Sequence, residues 1–146
     1  MTIFDPQAFM ETAVVGAMDT KTPIWPPGEY IARITKVDIK PWESAERGTS
    51  GLRADLYLET DDPRVTSAGA RTLVHGIMLD LNEQGGLDDG RGKNIKLGQV
   101  REAVGQNEKG KEWKFPMLIG QVMRVQVTHF LYKGEPRHQV SSVAAV

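Results

Sequence analysis

Aromatic rings and cations recur together along this 146-residue chain. Lys40, Trp42 and Arg47 fall in one polar stretch, and Arg53 and Tyr57 alternate with apolar neighbours. Arg71 opens a further segment, and Phe130, Tyr132, Lys133 and Arg137 crowd together near the C-terminal end. Flat rings stack on unpaired bases while cations follow phosphates, which is how single strands are held without reading their sequence. Trp42 is the best single residue of the set, because an indole in a polar loop has no obvious core to enter. Its other reading is a ring folded back as a lid, and Phe130 has the alternative of packing beneath the N-terminal segment. A second run, Lys109-Gly110-Lys111-Glu112-Trp113-Lys114, has similar chemistry but ranks lower by its place between helix and strand.

Other chemistries are harder to assemble. Asp80-Leu81-Asn82-Glu83-Gln84-Gly85 imitates the start of a calcium loop, but Arg91 stands where a bidentate glutamate is required. Asp80, Glu83, Asp88 and Asp89 lie in a glycine-rich stretch that reads as solvated loop rather than a two-metal centre. His129 and His138 would face each other across a hairpin, yet strands around them offer no further zinc ligands. With no cysteine, Walker loop, dinucleotide fingerprint or Gly-x-Ser-x-Gly, neither an enzyme nor a cofactor or metal site is expected.

The elements that must position these groups are mostly strands. Fifteen glycines and eight prolines suit a turn-rich β protein. In Glu29–Ile39 the apolar set Tyr30, Ala32, Ile34 gives way to Val37 and Ile39, the phase flip of a β-bulge. Residues 43–51 read as a polar loop. Strand 2 alternates Leu52, Ala54, Leu56, Leu58 inward with Arg53, Asp55, Tyr57, Glu59 outward until Asp61-Asp62-Pro63 breaks it. Strand 3 spans about 70–81 with Leu73, His75, Ile77, Leu79 and Leu81 inward. Residues 93–104 carry Leu97, Val100 and Val104 at helical spacing and end at Gly105. Strand 4, with Met123, Val125 and Val127 inward, and strand 5 meet at a tight turn at Lys133–Pro136. Three strands, a helix and two strands is the order of an OB-fold, an all-β, five-stranded, partly open barrel. Its strand 2–3 face and its 1–2 and 4–5 loops are the ligand side in that architecture.

Residues 28–146 are expected to form this one domain. Residues 1–27 form an N-terminal arm, with a short helix from Asp5-Pro6 to about Val15 carrying Phe9 and Ala13 on one side, then a Pro-rich extended segment. The arm is expected to pack on the barrel or on a neighbouring subunit, the alternative being an ordinary ordered N-terminal tail. Without a leader or long apolar run, the chain is expected to be soluble and cytoplasmic, away from membranes.

Net charge is −1, but unevenly spread. Residues 1–92 hold nine Lys+Arg and fifteen Asp+Glu, whereas residues 93–146 hold nine and four. Either one side of the molecule is basic and steers a polyanion, or the charges mix evenly once the chain folds.

The arrangement Pro27-Gly28-Glu29-Tyr30-Ile31-Ala32-Arg33-Ile34, Leu97-Gly98-Gln99-Val100-Arg101-Glu102-Ala103-Val104-Gly105 and Leu118-Ile119-Gly120-Gln121-Val122, with Tyr132-Lys133-Gly134 behind it, resembles phage-encoded single-stranded-DNA-binding proteins with a single OB-fold. The resemblance covers residues 25–143, and Ile3-Phe4-Asp5-Pro6-Gln7-Ala8-Phe9 is similar to the start of other phage proteins carrying this domain. It implies sequence-independent binding of single-stranded DNA in replication or recombination, alongside phage replication or recombination proteins; apart from the resemblance, the arm offers a route to homo-oligomers. Many such binders end in an acidic tail. This sequence ends Ser141-Ser142-Val143-Ala144-Ala145-Val146, so recruitment through a tail is not expected. The rivals to this reading are a virion or assembly barrel protein and a protein-binding OB module.

Overall fold

In the computed structural model, which describes residues 5–70 and 72–146, period-2 alternation builds one antiparallel sheet. Its strands are β1 (Gly28–Ser44), β2 (Thr49–Glu59), β3 (Leu73–Met78), β4 (Val122–Tyr132) and β5 (Glu135–Ala144), ordered β3-β2-β1-β4-β5. The fold is all-β with few short helices. Helix α1 is Pro6–Met10, α2 is Pro63–Thr66, and α3, Ile95–Ala103, links β3 to β4 as the OB order requires. The sheet curls until its edge strands β3 and β5 come within 8 Å between Cα atoms. Among the described residues no hydrogen-bonded ladder joins those two edges.

The curl has a visible cause. Ile34 pairs with Leu58 and Lys36 with Tyr57, which leaves Thr35 as an extra residue in β1. Such a bulge bends the strand and inverts its phase. Tyr30, Ala32 and Ile34 point into the core before it, and Val37 packs there after it, as the sequence indicates. Ile39 shares the inner row opposite Ala54 but is 40 % exposed. A second irregularity between Gln126 and Val127 leaves Ser141 unpaired in β5.

The core gathers Leu56, Leu58, Leu73, Ile77, Met123, Val125 and Val127 from the strands, with Leu97 and Val100 from α3 and Leu118 from a 3-10 turn at Phe115–Leu118. Trp25, from the segment before β1, is also fully buried, with its ring 5.3 Å from that of Tyr30 in an edge-on contact. The far end of the arm is therefore anchored in the body.

Several expected boundaries move. Asp5 does cap α1, accepting from the Gln7 N–H, but the helix stops at Met10 rather than Val15. No residue of α1 is buried, and a helix that short has no packing to extend it through Thr12, Val14 and Val15. The 43–51 loop shrinks to a turn at 45–48, because β1 runs on to Ser44 and β2 starts at Thr49. Strand 3 is shorter than residues 70–81; Leu73, His75 and Ile77 form its inner row as expected and Leu79 is buried just beyond it, but Leu81 is exposed rather than inward. After Asp61, the Asp62 carboxylate accepts from the Arg64 N–H and starts α2, a helix that periodicity is too short to reveal. No helix of the described residues is long and apolar enough to cross a membrane.

Candidate functional site

Strand register decides which candidate groups meet. Beyond the bulge, Lys36, Asp38, Lys40 and Trp42 of β1 lie opposite Tyr57, Asp55, Arg53 and Gly51 of β2. Val74, Gly76 and Met78 of β3 continue these rows beside Tyr57, Asp55 and Arg53. Because Ala54, Leu56 and Ile77 fill the core, all of these belong to the outer face of the sheet.

Asp55 organises that face. It is 4 % exposed, with Lys40 Nζ 3.4 Å from its Oδ2 and Arg53 Nε 3.3 Å from its Oδ1. Lys40 Nζ also lies 3.4 Å from the Tyr57 hydroxyl and 3.7 Å from Asp38. The Tyr57 hydroxyl, followed by the Asp55 carboxylate, raises the pKa of the Lys40 ammonium above its usual value. Lys36 Nζ stands 5.1 Å from the centre of the Tyr57 ring.

Trp42 is a strand residue, not part of a loop. Its indole N–H donates to the Leu52 carbonyl at 3.2 Å, and its ring lies across Gly51. A Cβ on residue 51 would come within 2.9 Å of the indole nitrogen, so only glycine leaves room for the ring. The ring is thus held flat and partly exposed, close to the lid that the alternative reading describes. Arg47 lies in the exposed turn beyond Trp42. Trp42 lies six positions beyond Lys36 in β1, about 20 Å along the strand. Trp42 and Arg47 are therefore placed at one end of the face, away from Tyr57.

At the other end a groove of about 1170 Å³ opens between the arm, β3 and the β4–β5 hairpin. Phe130, Tyr132 and Arg137 line it together with Val74, the cross-strand neighbour of Tyr57. Phe130 pairs with Arg137, and Lys133-Gly134 closes the hairpin with both residues at positive φ, 52° and 80°. Tyr132 is 51 % and Phe130 42 % exposed. Lys133 Nζ and Arg137 Cζ sit 5.4 and 5.7 Å from the Tyr132 ring centre. Lys21 of the arm approaches Glu135 at 3.7 Å. Arg71 lies outside the described residues.

The structure therefore gathers Lys40, Arg53 and Tyr57 into one cluster and Phe130, Tyr132, Lys133 and Arg137 into another, bridged by Val74. Lys36 joins the first cluster and was missed; carrying the bulge's phase flip through to the polar residues would have found it. The depth of Asp55 was missed too. Alternation puts its side chain on the outer face, and only the register to Gly76, with no side chain to displace it, lets the carboxylate sink.

The remaining candidates have local duties. Asp80 Oδ2 accepts from the Asn94 N–H and the Asp88 side chain from the Gly90 N–H, which ties the glycine loop together. His129 and His138 are cross-strand partners that grip the Trp25 backbone. The Trp25 N–H donates to His138 Nδ1 at 3.0 Å, and His129 Nε2 donates to the Trp25 carbonyl at 2.7 Å. Burial, then the His129 charge, lowers the His138 pKa. Trp113 donates to Gln106 Oε1 and stacks beneath Arg101, whose Cζ is 4.5 Å from the ring centre. Among the described residues no group of three or more His, Cys, Asp or Glu is placed to hold a metal ion. The chain matches no protein-family model and no curated protein.

Proposed function

We propose that this protein binds single-stranded DNA without sequence preference and without a catalytic step, as an accessory to phage replication or recombination in the bacterial cytoplasm. One observation carries the reading. Tyr57 pairs with Val74 across β2 and β3, and Val74 shares a groove with Phe130, Tyr132 and Arg137, so the groove on the hairpin side reaches the strand neighbour of Tyr57. Rings supply sequence-tolerant stacking, and Lys133 and Arg137 supply phosphate contacts. The OB order of the elements and the resemblance of residues 25–143 to phage single-strand binders point the same way. Fluorescence anisotropy of labelled oligo-dT tests it: binding should appear at low salt and weaken as salt rises, because phosphate contacts release counterions. An unchanged signal with tens of micromolar protein at low salt would refute it.

Stacking has a residue-level test. Tyr132→Ala and Trp42→Ala should each weaken oligo-dT binding by about 1–3 kcal/mol. Gly51→Ala should reproduce part of the Trp42→Ala loss with the ring still present, since the new methyl displaces the indole. If Trp42→Ala lowers the melting temperature and leaves affinity unchanged, Trp42 is a lid.

A second reading, an assembly protein that docks through its arm, is favoured by a separate observation. Phe9, Met10, Val14, Val15 and Met18 are all strongly exposed within ten residues. Contiguous exposed apolar surface of this kind marks interaction sites. Removing residues 1–19, which spares Trp25, should then reduce the particle mass in light scattering to that of a monomer while oligo-dT affinity stays the same.

A further inference from the structure

The sheet face proposed to meet a polyanion contains a buried anion of its own. Asp55 lies in the outward row of β2 between Arg53 and Tyr57, yet almost no solvent reaches it. Opposite it stands Gly76, where even a methyl carbon would approach Asp55 Oδ1 to 3.3 Å. The carboxylate occupies that recess, roofed by Lys40 on one oxygen and Arg53 on the other. Two of the three cations on this face, Lys40 and Arg53, thus have a carboxylate partner, while the third, Lys36, stands over the Tyr57 ring.

We propose that Asp55 is a specificity-determining counter-ion: by holding Lys40 and Arg53, it keeps them from phosphates and biases this face towards unpaired bases over duplex. The inference rests on the single-strand reading above. A duplex offers this surface phosphates and hides its base faces, so its affinity scales with the free cations. A single strand offers phosphates and stackable bases together. Occupying two cations internally therefore weakens duplex binding in larger proportion. Lys40 has a further use in this arrangement, because its position between Asp55 and the Tyr57 hydroxyl orients the ring on which a base would lie.

The test is Asp55→Asn, which keeps the shape and removes the charge. Oligo-dT and a duplex of equal length are titrated by anisotropy across a range of salt concentrations, with circular dichroism to check the fold. The expected result is a salt slope for oligo-dT steeper by about 0.7 for each cation released. Duplex affinity at low salt should rise roughly tenfold, so that the preference for single strand narrows. A folded Asp55→Asn protein with the wild-type slope and the wild-type preference overturns the inference alone. Failure of the wild-type protein to bind oligo-dT removes the single-strand reading and the inference with it. Should Asp55→Asn not fold, Arg53→Gln and Arg137→Gln decide. A counter-ion role requires Arg53→Gln to change the slope by less than half of the change in Arg137→Gln, and equal changes overturn it.

Discussion

Replacing Trp25 by alanine is expected to lower the unfolding free energy by about 3–5 kcal/mol, the usual cost of emptying a fully buried large aromatic site. In a chain of this size that corresponds to a fall of roughly 10 °C in Tm. The size of the effect follows from where the ring sits. It is wholly buried, and its edge-on contact with Tyr30 lies beneath the hairpin whose His129 and His138 hold the Trp25 backbone. Alanine leaves those two main-chain bonds in place, so the loss measures the ring alone. Trp25→Phe should cost less than about 2 kcal/mol, because among the described residues the indole nitrogen has no hydrogen-bond partner to lose. Urea denaturation of the three proteins is the measurement. A Trp25→Ala midpoint equal to that of the wild type would show that the Pro-rich segment is not part of the core.

The strands were legible because each buries one face. Leu52 to Leu58 and Met123 to Val127 repeat with period 2, and a one-residue slip would have turned those rows to solvent. The bulge was legible for the same reason, as a break in phase between Ile34 and Val37. Trp25 was not, because a single tryptophan among Pro23, Pro26 and Pro27 has no period to place it. Its burial depends on a grip by two histidines more than a hundred residues away.

The candidate site divides along the same line. Tyr57, Phe130 and Tyr132 were found because alternation alone assigns them to the outer face. Trp42 was assigned to a loop because nothing local distinguishes a polar loop from a polar hairpin arm, and the pairing of Trp42 with Gly51 is what makes it strand. The Lys40–Asp55 pair needs β1 in register with β2, and the recess at Gly76 needs β3 beside them, which no window along one strand contains. Sequence reasoning therefore recovered which residues face outward and missed which of their charges are already neutralised.

Acidification should cost this fold about 3 kcal/mol between pH 7 and pH 4, through His75 above all. His75 lies in the inner row of β3 opposite Leu56, where burial, with a smaller effect from the Lys96 charge, lowers its pKa from 6.5 to about 4. The sign follows from proton binding. An unfolded chain takes up the proton as pH falls through 6.5, whereas the folded chain does so only near 4. Between those values the unfolded state holds more protons, and each pH unit removes about 1.4 kcal/mol of stability. Above pH 7 the contribution is fully present, and below about 4 nothing further is lost from this group. His138 adds a loss of the same sign, since its pKa is also lowered and its Nδ1 must stay unprotonated to accept the Trp25 N–H. His75→Leu keeps an apolar side chain in the inner row and takes up no proton. Urea unfolding followed from pH 7.5 to 4 should therefore show a much flatter pH profile in that variant. Parallel profiles for His75→Leu and the wild type would mean that His75 does not titrate with the fold, and that the acid sensitivity belongs to other groups.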